Sequence, residues 1–171
     1  LALSEQYLLN RYVSEQSPYN LLDRRIENEM VPFAQHHEVA LIPWSPLAGG
    51  VLTGRYPPEE PAPTGSRGEW GARLWKERIN QEGKVVAYRL KEYAEKKGMT
   101  ATQLALLWVK DQPGTCSPIV GPRTLEHLEA ALSIVEKRLD PEDAAFCDSL
   151  VPPGTAVTDF FNTSGWMKGH R

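Results

Sequence analysis

Val39-Ala40-Leu41-Ile42-Pro43-Trp44 is an apolar run with no polar alternation, and Ser45-Pro46-Leu47-Ala48-Gly49-Gly50-Val51-Leu52-Thr53-Gly54-Arg55 follows it at once. A short apolar run bounded by turn residues is the pattern of a strand buried on both faces, as in a parallel sheet covered by helices. The loop after it lies at the strand's C-terminal end, where parallel α/β architectures place their ligands. Its glycines let backbone N–H groups approach an anion closely, and Arg55 adds a permanent charge. That combination suits a pyrophosphate, although the spacing is neither that of a Walker loop nor that of G-x-G-x-x-G. The same composition also builds an ordinary surface loop.

Upstream, Leu1 to Leu9 reads as the end of a helix and Arg11 to Gln16 as a short strand. Ser17-Pro18-Tyr19-Asn20 supplies a turn, and Ile26, Met30, Phe33 and Ala34 predict one amphipathic helix up to His37. Downstream, prolines and glycines from Ser45 to Gly71 predict a long loop that carries Arg67, of a length that is functional or disordered in compact domains. Val85, Val86, Leu90, Tyr93 and Ala94 predict a helix ending at Lys97-Gly98, and Thr100 caps another that bears Leu104, Leu107 and Trp108. Cys116 to Gly121 reads as a third strand. Thr124 caps a helix with Leu125, Leu128, Leu132 and Val135 on its apolar face, and Asp140-Pro141 opens a last one with Ala144, Phe146, Cys147 and Leu150. Pro152-Pro153-Gly154 ends the regular structure, and the tail to Arg171 holds Phe160, Phe161 and Trp166 without a period.

Strands alternating with helices imply an α/β fold with right-handed crossovers and a parallel sheet. Three strands leave two open edges and much apolar strand surface, so the chain is expected to be part of something larger. At 171 residues, 41% hydrophobic and 24% charged, the composition is that of a soluble globular domain. Nineteen Lys and Arg against 22 Asp and Glu give a net charge of −3, which provides no basic field for a nucleic acid. The apolar runs fall short of the ~20 residues of a membrane span. Two cysteines without a CxxC pair indicate neither a disulfide framework nor a zinc site, and a cytoplasmic setting is expected. The chain lacks an initiator Met and begins in a helix-like phrase, as a fragment would.

Gly121-Pro122-Arg123-Thr124 repeats the topology of the first loop at the next strand end and runs into a helix N-terminus, where N–H groups and dipole favour a phosphate. Arg123 can pair bidentately with one, though an Arg at such a place is commonly a solvated residue. Trp44 offers a flat face to an aromatic ring or packs in the core. Gln16 complements a carboxamide or caps a strand. The neighbouring His36-His37 cannot face one metal from one side, and Asn162-Thr163-Ser164 matches a glycosylation sequon without consequence in the cytoplasm. No Ser-His-Asp grouping and no metal site can be argued.

Three stretches, in order, resemble the aldo-keto reductases: Gln16-Ser17-Pro18-Tyr19-Asn20-Leu21-Leu22-Asp23-Arg24, Pro43 through Tyr56, and Ile119 through Leu128. The branch that includes bacterial reductases and potassium-channel β-subunits is the most similar. The resemblance covers about residues 1–151, leaves 152–171 as a tail, and implies a (β/α)8 barrel of which this chain is the last helix of unit five and units six to eight. It implies that Gln16 bonds the carboxamide of NADP(H), that Trp44 stacks on the nicotinamide, and that Ser45, Pro46, Leu47, Gly49 and Arg55 hold the pyrophosphate under Arg67. Gly121 and Arg123 would bind the 2′-phosphate side, with His127 near the adenine. Ala130 and Ala131 replace the family's usual acidic residue and Asn, which implies weaker adenine binding. The family's catalytic Tyr, Lys, Asp and His have no counterpart here, so the resemblance implies the cofactor half of a reductase of small aldehydes or ketones, inactive alone. A non-catalytic NADP(H)-binding regulatory subunit or an inactive remnant is the alternative. Oligomeric state is open, and a homo-oligomer is compatible with the sequence.

Overall fold

A computed structural model describes residues 1–69 and 73–161, with only the backbone of Arg73 and Leu74. The end of the expected loop at Gly71, the sequon and Trp166 lie outside the described residues. The elements are α1 (Ala2–Gln6), β1 (Ser14–Glu15), a 3-10 turn (Arg25–Asn28), α2 (Met30–His36), β2 (Ala40–Leu41), a 3-10 segment (Ala48–Thr53), α3 (Arg73–Arg78), α4 (Gln81–Lys96), α5 (Ala101–Lys110), α6 (Leu125–Leu132) and α7 (Pro141–Leu150).

Strands β1 and β2 pair in parallel, Ser14 opposite Ala40 and Glu15 opposite Leu41. Backbone bonds extend the ladder, with the amides of Ala40, Ile42 and Trp44 donating to the carbonyls of Val13, Glu15 and Ser17 at 2.8–3.0 Å. On the other side of β2, Leu41 N donates to Gly114 O and Cys116 N donates to Leu41 O, in a parallel bridge between Leu41 and Thr115. The three chain segments therefore lie side by side in sequence order with their C-terminal ends at one edge. The third segment differs from the expected strand from Cys116 to Gly121. It starts at Thr115, and Pro118 has no N–H to continue the ladder, which resumes with Ile119 N donating to Pro43 O at 2.7 Å.

Residues 39, 41 and 43 are buried whereas Ala40, Ile42 and Trp44 are half-buried, so this strand is closed on one face only, contrary to the expected burial on both. The covered face carries the core: Leu21, Leu22, Leu41, Leu104, Cys147 and Phe160 are each at most 1% exposed. α5 is apolar on all sides because it is central, packing against both α4 and α6. Thr100 and Gln103 close its N-terminus as a reciprocal capping box. The amphipathic helix expected from Ile26 to His37 is broken at Glu29 (φ −141°), and Phe33 points to solvent. α6 forms where its cap predicts, Thr124 Oγ1 accepting from His127 N, but Leu125, Leu128 and Leu132 stay exposed because no described element covers them.

The segment after α7 docks onto the loop after β1. Val157 N and Thr158 N donate to Leu22 O, Arg24 N donates to Thr155 O, and Phe160 is fully buried. Asp111, at the end of α5, accepts from Lys110 Nζ, Arg138 Nη1 and the amide of Leu139 at 2.6–3.3 Å. Burial works against its charge, but these donors outweigh burial and hold its pKa below the ordinary value. A depressed carboxylate pKa stabilises the fold fully above the unfolded value and is lost as pH falls through the folded one. Asp111→Asn is therefore expected to lower the melting temperature at pH 7 and to narrow its gap to wild type toward pH 2. A constant gap across that range would contradict this.

Candidate functional site

The site begins where β2 ends. Trp44 is tied to the neighbouring strand by its N–H to Ser17 O at 3.0 Å and its carbonyl to Tyr19 N at 3.3 Å. Pro18 pairs with Trp44, so Gln16, two residues earlier, lies on the same face of the sheet as Trp44. Gln16 is exposed and Trp44 half-buried, both on the open face.

After Trp44 the backbone enters an unusual path. Ser45 (φ 56°), Ala48 (φ 49°), Gly49 (φ 66°) and Gly50 (φ 99°) are all left-handed. Two non-glycine residues in that region within four positions is a local strain of the kind that gathers at ligand clamps. The amides of Ala48 and Gly50 close this path on itself, donating to Ser45 O and Leu47 O at 2.9 Å. Glycine is required at 49, since a methyl there would lie 2.8 Å from Trp75 Cζ3 and 3.7 Å from Arg67 Nη1. A methyl on Gly50 would lie 3.7 Å from Arg55 Cδ. Two exposed arginine side chains thus lie against the same glycine pair, Arg67 at Gly49 and Arg55 at Gly50, over a loop whose Pro46 is buried and whose Leu47 packs against the core. Trp44, Ser45, Pro46, Leu47, Gly49, Arg55 and Arg67 are brought together. Gly121, Arg123 and His127 stand apart at the adjacent strand end, all exposed, where α6 starts.

The loop expected from Ser45 to Gly71 contains the 3-10 segment, and α3 follows it at Arg73–Arg78; composition revealed neither element. α3 supplies Trp75 and Arg78, three residues apart and so on one helix face. Arg67 sits 4.8 Å above the Trp75 ring. Arg78 is 7% exposed, with its guanidinium carbon 5.9 Å from the Trp44 ring, 5.8 Å from Trp75 and 4.8 Å from Phe160. Its Nη2 donates to Phe160 O at 3.4 Å. Burial pulls the Arg78 pKa down and Asp159 pushes the other way, yet a guanidinium stays charged throughout. Trp-x-x-Arg beyond a glycine loop was the available signal.

A second grouping looks catalytic without the chemistry. Tyr93 OH donates to Asp143 at 2.9 Å, and Lys97 Nζ reaches the same carboxylate at 3.3 Å. Burial and that hydrogen bond push the phenol up to about 12, the wrong direction for a proton donor at neutral pH. Tyr19, bonded to Glu27 at 2.7 Å, is likewise shifted up by burial. The rings of His36 and His37 meet edge to face, and no group of three metal-ligating side chains occurs among the described residues. Nor, among them, is any helix long and apolar enough to cross a membrane.

Residues 9–152 match the profile of the aldo/keto reductase family. The chain is 30% identical over 151 residues to a versiconal hemiacetal acetate reductase of Aspergillus parasiticus, covering 84% of this chain and 41% of that protein. It is 29% identical over 150 residues to a putative aryl-alcohol dehydrogenase of Saccharomyces cerevisiae, covering 88% and 43%. It is 31% identical over 144 residues to an uncharacterized oxidoreductase of Bacillus subtilis, covering 83% and 41%. The chain thus spans about two fifths of the length of these curated relatives. A parallel sheet with helices on one face, a glycine cradle at a strand end and this match place the chain in the aldo/keto reductase family, whose members are oxidoreductases built on the (β/α)8 fold.

Proposed function

We propose that this chain is the cofactor-holding part of an NADP(H)-dependent reductase of small aldehydes or ketones, corresponding to units six to eight of the barrel. The observation that carries the reading is the set of left-handed residues Ser45, Ala48, Gly49 and Gly50, with the side chains of Arg55 and Arg67 against its two glycines. When bound, the cofactor supplies hydride to a carbonyl carbon. Trp44 and Gln16, sharing one face, orient the nicotinamide. Ser45, Leu47 and Gly49 offer amide N–H groups to the pyrophosphate, Pro46 shapes the turn between them, and Arg55 and Arg67 neutralise the charge. Gly121 lets the chain approach the adenosine, Arg123 pairs with its 2′-phosphate, and His127 lies beside the adenine. The names of the relatives, a reductase and an alcohol dehydrogenase, fit carbonyl–alcohol interconversion.

The exposed apolar residues at both ends of the sheet, Tyr12 and Val13 beside β1 and Leu125 and Leu132 on α6, support a place inside a larger barrel. Proton delivery to the substrate oxygen then belongs to a part of the protein outside these residues, and the chain alone is inactive. The second reading is a non-catalytic NADP(H)-binding regulatory subunit or an inactive remnant in the cytoplasm. Coding sequence upstream that holds a Tyr with Lys, Asp and His in the family's order separates the two.

Arg123 provides the direct test of cofactor choice. In the intact protein, Arg123→Ala is expected to weaken NADPH by roughly 1–3 kcal/mol, the range for a lost hydrogen bond to a charged group. NADH, which lacks the 2′-phosphate, should be nearly unaffected. Equal losses for the two cofactors in equilibrium titrations would remove Arg123 from that role.

A further inference from the structure

We propose that the charge of Arg78, packed against Trp44, biases the strand-end site toward the reduced, uncharged nicotinamide ring over the oxidised, cationic one. This rests on the reading of the site as a nicotinamide-cofactor cradle. The sequence resemblance assigns no role to α3, and the proposal comes from where the fold puts that helix.

Arg78 is a cation enclosed by three aromatic rings, those of Trp44, Trp75 and Phe160, and it is anchored to the backbone at Phe160 O. The separation of 5.9 Å from the Trp44 ring falls within the range of a cation–π contact. At 7% exposure, its field is weakly screened by solvent. Stacked aromatic rings have centroids about 4.5–7 Å apart, so a ring lying on Trp44 sits on the order of 10 Å from the guanidinium. An oxidised nicotinamide carries a positive charge on that ring and a reduced one does not. The guanidinium therefore repels one form and leaves the other alone.

Asp159, Asp23 and Glu77 offset part of this field and Arg67 adds to it. Replacing the guanidinium by a neutral group lowers the local charge by one unit whatever else Arg78 is bonded to, so the sign of the effect does not depend on its other partners. For a unit charge at this distance in a partly buried setting, the expected change in the ratio of the two dissociation constants is about threefold to tenfold.

The experiment measures dissociation constants for NADPH and NADP+ in the intact protein and in Arg78→Gln and Arg78→Lys, by quenching of indole emission and by competition. The ratio of the NADP+ constant to the NADPH constant should fall about threefold to tenfold in Arg78→Gln and stay near wild type in Arg78→Lys. If Arg78→Gln does not fold, Arg78→Met, which keeps an apolar body between the rings, supplies the same comparison. An unchanged ratio in the neutral variants, or an equal fall in Arg78→Lys, overturns the proposal even though the cofactor binds. Failure of the unaltered protein to bind either form overturns the cradle reading itself and this inference with it.

Discussion

Asp23→Ala is expected to lower the unfolding free energy by about 1.5–3 kcal/mol, the range for lost hydrogen bonds to a charged group. Asp23 is 2% exposed and gathers five donors, the weakest of them the Arg25 amide at 3.5 Å. Arg25 reaches it through Nε at 2.8 Å and Nη2 at 2.7 Å, and the amides of Phe160 and Phe161 donate to Oδ2 at 2.9 and 3.1 Å. Alanine removes the acceptor for the Phe160 amide in the interior, where an unmet donor costs its full desolvation. Arg25 keeps Asp159 at 2.7 Å, so the guanidinium itself is not abandoned. Most of the loss therefore comes from releasing the C-terminal segment, whose Phe160 ring fills the core beside Arg78. Urea unfolding at neutral pH measures it. Asp23→Asn should fall between wild type and alanine, because its carbonyl still accepts from the two amides while its NH2 faces Arg25. A loss below about 1 kcal/mol for alanine, the worth of one ordinary hydrogen bond, would mean that the segment is held by packing alone.

Gly49→Ala is the second large effect, and it falls on binding. The new methyl meets Trp75 Cζ3 at 2.8 Å and forces a left-handed backbone on a residue that resists it. The backbone contribution is about 1–2 kcal/mol. The clash must also move Trp75 and, with it, the Arg67 guanidinium stacked on its ring. Affinity for NADPH is expected to drop at least about tenfold, corresponding to 1.4 kcal/mol. Gly65→Ala is the control, since Gly65 has a similar φ of 73° and nothing within 4 Å of its added methyl. It should lose stability to the same strain and leave NADPH binding unchanged. Equal effects of the two substitutions on affinity would show that the contact over Gly49 has no part in holding the cofactor.

Much of the frame could be read from local chemistry. Lys97-Gly98 ends α4, Thr100 caps α5, Thr124 caps α6 and Asp140-Pro141 opens α7, because capping residues act within one turn and need no tertiary partner. Burial was less accessible. The apolar stripe at Leu125, Leu128 and Leu132 has the right period for a buried face, yet what covers such a stripe is not written in the stripe itself. Pro118 in the third segment marks a broken ladder, since it cannot donate. In the site, Trp44 and the glycine loop stood out through their position after an apolar strand. Trp75, Arg78 and Asp23 did not. The first two sit on a six-residue helix beyond a Pro- and Gly-rich stretch, and Asp23 acts on amides 137 and 138 residues away. Pairings of that sequence separation leave no local pattern.

Titration of the intact protein with NADPH, followed by tryptophan emission, tests the cradle most directly. Saturable quenching is expected, most of it lost in Trp44→Phe, with much weaker quenching by NADH. Unchanged emission up to millimolar NADPH would contradict the assignment of these strand ends to a phosphorylated nicotinamide cofactor.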